Sequence, residues 1–283
     1  MFLVPADIPF LEEEEDDFFI LLFDFLVQPV DIILRAMLHP LLFGNVSYLD
    51  TSALTIISPL SFSPSFNTDI SRWDVSNVSS MEGAFYEAKS FNQPIGKWNV
   101  SKVTTMNRMF KRAYAFNQPL EDWDVSNVTN MDGMFEDSGF NQPLGKWNVG
   151  KVQNMMFMFT DNIFFDQPLE EWDVANVTNM NSMFAHAIRF NQPIGNWNVS
   201  NVEYMYGMFE NTTAFNQPIG NWNVSNVVFM HNMFRETKSF NQPLTNWNIR
   251  DDAVFHGMFL HARSFNQPLS AHPNYLKKNL LLS

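Results

Sequence analysis

The chain has 283 residues, of which 46% are hydrophobic, and a formal net charge of -13. Such acidity, without a clustered Lys/Arg footprint, argues against a nucleic-acid partner, and the absence of Cys excludes disulfides, Cys-ligated zinc and thiol nucleophiles. Eleven Gly are too few for a Gly-rich fibrous chain, whereas 29 Phe suffice to line a long core.

Residues 1–47 differ in composition from the rest of the chain. Glu12 to Asp17 is an unbroken acidic run ahead of the apolar stretch Phe18 to Val27. A secretory signal would place basic residues before its apolar stretch and small residues after it. A membrane span needs roughly 20 mostly uncharged residues, and Asp24, Pro29, Asp31 and Arg35 interrupt any such window. The pattern predicts two short helices broken near Pro29, the second over 31–38 with Asp31 as N-cap. Together they form an N-terminal helical cap.

Residues 48–65 read as a degenerate first repeat, since Tyr48 falls 25 residues before Trp73. From 66 to 269 the chain repeats one unit, stated by 116–140 as FNQPLEDWDVSNVTNMDGMFEDSGF. Trp73, Trp98, Trp123, Trp147, Trp172, Trp197, Trp222 and Trp247 keep a spacing of 25, shortened to 24 between Trp123 and Trp147. A period of this size marks a solenoid, in which each unit buries its apolar face against its neighbours. Residues 270–283 read as a C-terminal cap or tail.

Within a unit the apolar period switches. Trp123 and Val125 alternate as in a strand, whereas Met131, Met134, Phe135 and Ser138 recur as one helix face does. Thr129 with Asp132, and Ser79 with Glu82, are placed as helix-capping pairs, and Pro119 starts the extended approach to the next strand. The predicted fold is an α/β repeat solenoid, a right-handed coil of short parallel strands and short helices.

Stacking puts equivalent residues on top of one another, about 4.8 Å apart. The Asn column Asn92, Asn117, Asn141, Asn191, Asn216, Asn241 and Asn266 then forms a ladder satisfying turn backbone groups. Asp166, the exception, is expected to strain or open that ladder. In the column after Trp, Asp and Asn alternate over most of the chain, which spaces carboxylates apart.

These residues resemble the BspA-like leucine-rich-repeat surface proteins, specifically the 25-residue repeat class known from mycoplasma surface lipoproteins, with units reading W-(D/N)-V-S-N-V-T-N-M-x-x-M-F-x-x-A-x-x-F-N-Q. Trp172 to Gln192 follows that string nearly throughout. The resemblance implies a leucine-rich-repeat-like solenoid, display on a cell surface or secretion, and adhesion or host-protein binding. No signal peptide or lipidation Cys supports surface display in this sequence. Val128 also stands where ordinary leucine-rich repeats carry Asn or Cys.

With Leu, Trp and Val facing inward, the residues flanking Trp face out. They are charged in the first units and almost all neutral later: Asn196, Asn198 and Ser200, then Asn221, Asn223 and Ser225, then Asn246 and Asn248. This polar face is the predicted partner-binding surface, for a protein or a glycan. His231 and His256 stack one turn apart on the helical side, but no third ligand joins them, so no metal is expected. The Met columns read as core filling. No catalytic triad, phosphate loop or dinucleotide fingerprint is present, so the chain reads as a non-catalytic binding or adhesion module without cofactors. The alternative is an intracellular scaffold whose N-terminal helices recruit the partner.

Overall fold

The computed structural model describes residues 49–57 and 64–268. All of the N-terminal cap at 1–47 and all of the tail at 270–283 lie outside them, and with the cap the alternative reading of its helices.

The described chain winds in turns of one repeat each, laid flat on one another. Parallel β-bridges join Ile56 to Ser80, then Thr105, Asn130, Asn154, Asn179, Tyr204, Phe229 and Val254 in unbroken succession. The pairing column is thus seven residues after Trp, not at the Trp-x-Val segment where a strand was expected. That segment lies between two tight reversals, closed in the 116–140 unit by Trp123 N–H to Leu120 O at 3.0 Å and Val128 N–H to Val125 O at 2.9 Å.

No α-helix occurs among the described residues. The residues read as a helix face, Met131, Met134, Phe135 and Ser138, are indeed all buried, yet their backbone runs differently. The N–H groups of Met131, Gly133, Phe135 and Asp137 donate to Asn154, Met156, Met158 and Thr160 of the following turn at 2.7 to 2.9 Å. Between them, Met134 and Glu136 donate three residues back, to Met131 and Gly133. Left-handed backbone at Gly133 (φ 58°) and Asp137 (φ 50°) produces this alternation, and the same two columns are left-handed in every unit from 81 onward.

Side-chain packing explains why no helix forms. Phe85, Phe110 and Phe135 stack between turns with centroids 5.3 and 5.6 Å apart, and Phe91 and Phe116 do so at 5.8 Å. A helix is about 10 Å thick, so helices at this column would separate rings that the core holds at roughly one strand spacing. The expected capping pairs consequently cap nothing helical: the hydroxyls of Thr129 and Ser79 donate to Thr104 O and Thr55 O of the preceding turn.

Two further ladders bind the stack. From Trp98 onward each indole N–H reaches the carbonyl three residues before the previous Trp, as Trp123 to Ile95 O at 3.1 Å and Trp172 to Leu144 O at 2.9 Å. The Asn column is continuous, each side-chain Oδ1 accepting the backbone N–H of the next, as Asn117 N–H to Asn92 Oδ1 at 3.0 Å. Asp166 does not open it. Its N–H donates to Asn141 Oδ1 at 3.1 Å and its Oδ1 accepts from Asn191 N–H at 3.0 Å, because the ladder uses only an acceptor oxygen that a carboxylate also supplies.

Candidate functional site

The bridge column and the column two residues later run along the whole stack. In the middle turns the bridge column is Asn, engaged with the backbone of the second column, which reads Asp132, Met156 and Asn181. Asn130 Oδ1 accepts the Asp132 N–H, Asn154 Oδ1 the Met156 N–H and Asn179 Oδ1 the Asn181 N–H, each at 3.0 Å. Burial pushes the Asp132 carboxyl up, Arg108 pulling the other way.

In the last three turns these columns carry aromatic rings at every position but Val254. Tyr204 stacks on Phe229 at 5.8 Å, Tyr206 meets His231 at 4.3 Å, and His231 stacks on His256 at 5.2 Å. Phe229 also meets His231 edge-on at 6.2 Å, which joins the two columns into one strip. Tyr204 and Phe229 are each 37% exposed, while Val202 and Met205, beside them in the chain, are fully buried. Core packing therefore does not require these rings. Burial, and secondarily the His256 ring, push His231 below the usual imidazole range. The two histidines are neighbours as the spacing predicts, though on the bridge face, since the described residues have no helical side. No group of three or more His, Cys, Asp or Glu is placed to hold a metal among the described residues.

The predicted amide surface lies elsewhere on the same turns. Asn196, Asn198, Asn221, Asn223, Asn246 and Asn248 are exposed, and Ser200 and Ser225 half-buried. Part of this column has structural work: Asn198 Oδ1 clasps the Ser200 N–H and Asn223 Oδ1 the Ser225 N–H, both at 3.2 Å. Earlier turns make the same clasp with Asp74 to Ser76 and Asp124 to Ser126. Hydrogen bonds from those serines hold both carboxyls below the usual range. Asp and Asn therefore alternate in a column where either can close the turn.

The strip was missed in the sequence because its column was assigned to a helix start. Its signal was present: Tyr204 and Phe229 stand 25 residues apart where the five preceding units carry Ser, Thr or Asn.

Flat turns in fixed register, tied by Asn, Trp and Phe ladders, define a tandem-repeat protein. The family model agrees with that class. The chain belongs to the family described as "Mycoplasma protein of unknown function, DUF285", which matches residues 40–139, 119–213 and 194–276. No curated protein matches the chain. Among solved structures, a chain of "Crystal structure of TLR13-ssRNA13 complex" is similar at 9% identity and a TM-score of 0.27, covering 79% of this chain. The aligned part spans about half of that chain, 47%.

Proposed function

We propose that this repeat protein is a non-catalytic binding module that captures a protein partner on the strip formed by Tyr204, Tyr206, Phe229, His231 and His256. The observation that carries the reading is the exposure of Tyr204 and Phe229 as adjacent stacked rings, in a column that the five turns before them fill with Ser80, Thr105, Asn130, Asn154 and Asn179. Aromatic side chains dominate binding energy in protein interfaces, and a contiguous exposed apolar patch is a mark of an interaction site. The Tyr204 and Phe229 rings lie within 8° of parallel. Each ring covers a face of the other, which leaves less open ring face for a sugar to stack on and favours a partner's apolar side chains. The amide array of Asn198 and Asn223 supplies a polar flank on the same turns.

The finer reading is adhesion at a cell surface in the manner of the BspA-like proteins, supported by the match of Trp172 to Gln192 to their repeat string. A right-handed coil belongs to it, since parallel pairings joined by long crossovers are overwhelmingly right-handed.

The test is affinity capture with the full chain against extracts of its own cells and of cells it contacts. Tyr204→Ser with Phe229→Ser should lower partner recovery at least tenfold, and Asn198→Ala with Asn223→Ala should lower it less. Loss only in the Asn pair would move the site to the amide array; equal recovery with all three baits would end the proposal.

A further inference from the structure

The register of the stack slips once, and the slip leaves a cavity. Four residues separate Phe135 from Phe140, whereas five separate Phe110 from Phe116 and Phe159 from Phe165. The shortened loop draws Gly139 against the turn before it, so that a Cβ at this position would lie 2.1 Å from the Tyr114 carbonyl oxygen. Only glycine fits there. Where neighbouring turns project a side chain, this turn has none, and a cavity of about 420 Å³ opens among Tyr114, Asp137, Gly139, Asp161, Ile163 and Phe164.

The cavity is built rather than loose. Asn162, fully buried, donates from Nδ2 to Phe140 O at 2.9 Å and to Ser138 Oγ at 3.3 Å, which fixes the short loop to the turn after it. On the other side, Tyr114 donates its hydroxyl to Asp137 Oδ2 at 3.2 Å, and Arg112 Nε lies 3.5 Å from the same oxygen. The size is that of a site for one long side chain, at the lower end of small-ligand pockets.

Its chemistry selects a cation with an apolar stem. Tyr114, Ile163 and Phe164 are 48%, 42% and 43% exposed, three of the most exposed large apolar side chains among the described residues. Both rings already receive cations, Lys89 Nζ at 5.9 Å from the Tyr114 centroid and Arg189 Cζ at 5.5 Å from that of Phe164. The carboxylate of Asp161 is exposed and makes no ion pair among the described residues. A net charge of -13 draws basic partners toward the whole molecule.

We propose that the notch receives an arginine side chain projecting from a protein partner, its guanidinium on the Asp161 carboxylate and over an aromatic ring, its methylenes against Ile163. A planar, forked, weakly hydrated cation suits a carboxylate beside a ring better than an ammonium does, and its stem covers the exposed apolar wall. The site is separate from the aromatic strip of Tyr204 and Phe229 and stands or falls without it.

The test titrates the isotopically labelled full chain with the peptide acetyl-Gly-Arg-Gly-amide and with its citrulline counterpart, which keeps the shape and loses the charge. Saturable binding with a Kd on the order of 1 mM, with amide shifts confined to the backbone of Gly139, Asp161 and Phe164, is expected for the arginine peptide. Citrulline, or Asp161→Asn, should weaken it at least fivefold. Inserting Ala between Ser138 and Gly139 should abolish it by filling the notch. Because that insertion can disturb the turn, Asp161→Asn at an exposed position is the deciding variant. Shifts elsewhere, equal binding of citrulline, or unchanged affinity in Asp161→Asn would each overturn the proposal.

Discussion

The indole Nε1 of Trp147 donates to the carbonyl of Leu120 at 2.9 Å, and that same oxygen accepts the backbone N–H of Trp123 at 3.0 Å. One carbonyl thus closes a reversal within its own turn and ties that turn to the next. Trp147→Phe removes the indole donor but leaves Leu120 O bonded, so a cost of about 1–2 kcal/mol is expected, near that of one hydrogen bond plus slight underpacking. Trp147→Ala should cost about 3–5 kcal/mol through the cavity it leaves. Urea unfolding midpoints of the two variants test the order. Equal losses would mean that ring volume adds nothing beyond the indole hydrogen bond, which both variants lack.

Asp166 supports a sharper prediction. Its Oδ1 accepts from Asn191 N–H at 3.0 Å and from Gln192 Nε2 at 2.8 Å, the roles that Asn fills in the other turns. Asp166→Asn should therefore stay within about 0.5 kcal/mol of the parent. Asp166→Ala leaves both donors without that acceptor, at a cost of about 1–3 kcal/mol. Thermal unfolding distinguishes them; a large gain in Asp166→Asn would restore the expectation of strain.

The ladders were legible in the sequence because a fixed period makes every side chain the neighbour of its own equivalent. The Asn column, the Met core and the His231–His256 pair follow from that alone. Backbone conformation was not legible, because burial at 131, 134, 135 and 138 is the same for a helix and for overlapping turns. What separates them is inter-turn spacing, set by stacked rings such as Phe110 and Phe135, and periodicity within one unit carries no record of it. The clue was in composition: Gly83, Gly133, Gly207 and Gly257 share one column, and glycine weakens a helix interior. The notch was equally visible as the 24-residue spacing, but only a structure shows that a missing residue leaves a cavity rather than a tightened turn.

The left-handed columns make predictions of opposite sign. Gly207 has φ 55°, and a Cβ there would meet Glu210 Oε2 at 3.1 Å and Ser182 Oγ at 3.3 Å. Gly207→Ala should lose about 1–2 kcal/mol from left-handed strain. His261, exposed at φ 60°, already bears such strain. His261→Gly should gain up to about 1 kcal/mol after the added flexibility of the unfolded chain is deducted. Melting temperatures that move the same way for both would show that the backbone at these columns is not what the substitutions probe.

Asp132 provides a pH signature. Its carboxyl is raised from 3.8 first by burial, then by Glu136, with Arg108 and Lys111 opposing, and its Oδ1 has no hydrogen-bond partner. Arg108 stands 3.8 Å away with a largely exposed side chain, too far and too wet to offset the desolvation. The folded chain therefore keeps this proton to higher pH than the unfolded chain does. Its contribution to stability is full below 3.8 and declines as pH rises through the elevated folded value. Asp132→Asn removes that decline. The variant should be more stable than the parent at neutral pH, and the advantage should shrink as pH is lowered toward the unfolded value. Urea midpoints of both proteins across the acidic range measure the difference; an advantage that stays constant with pH would show that the lost charge is not its cause.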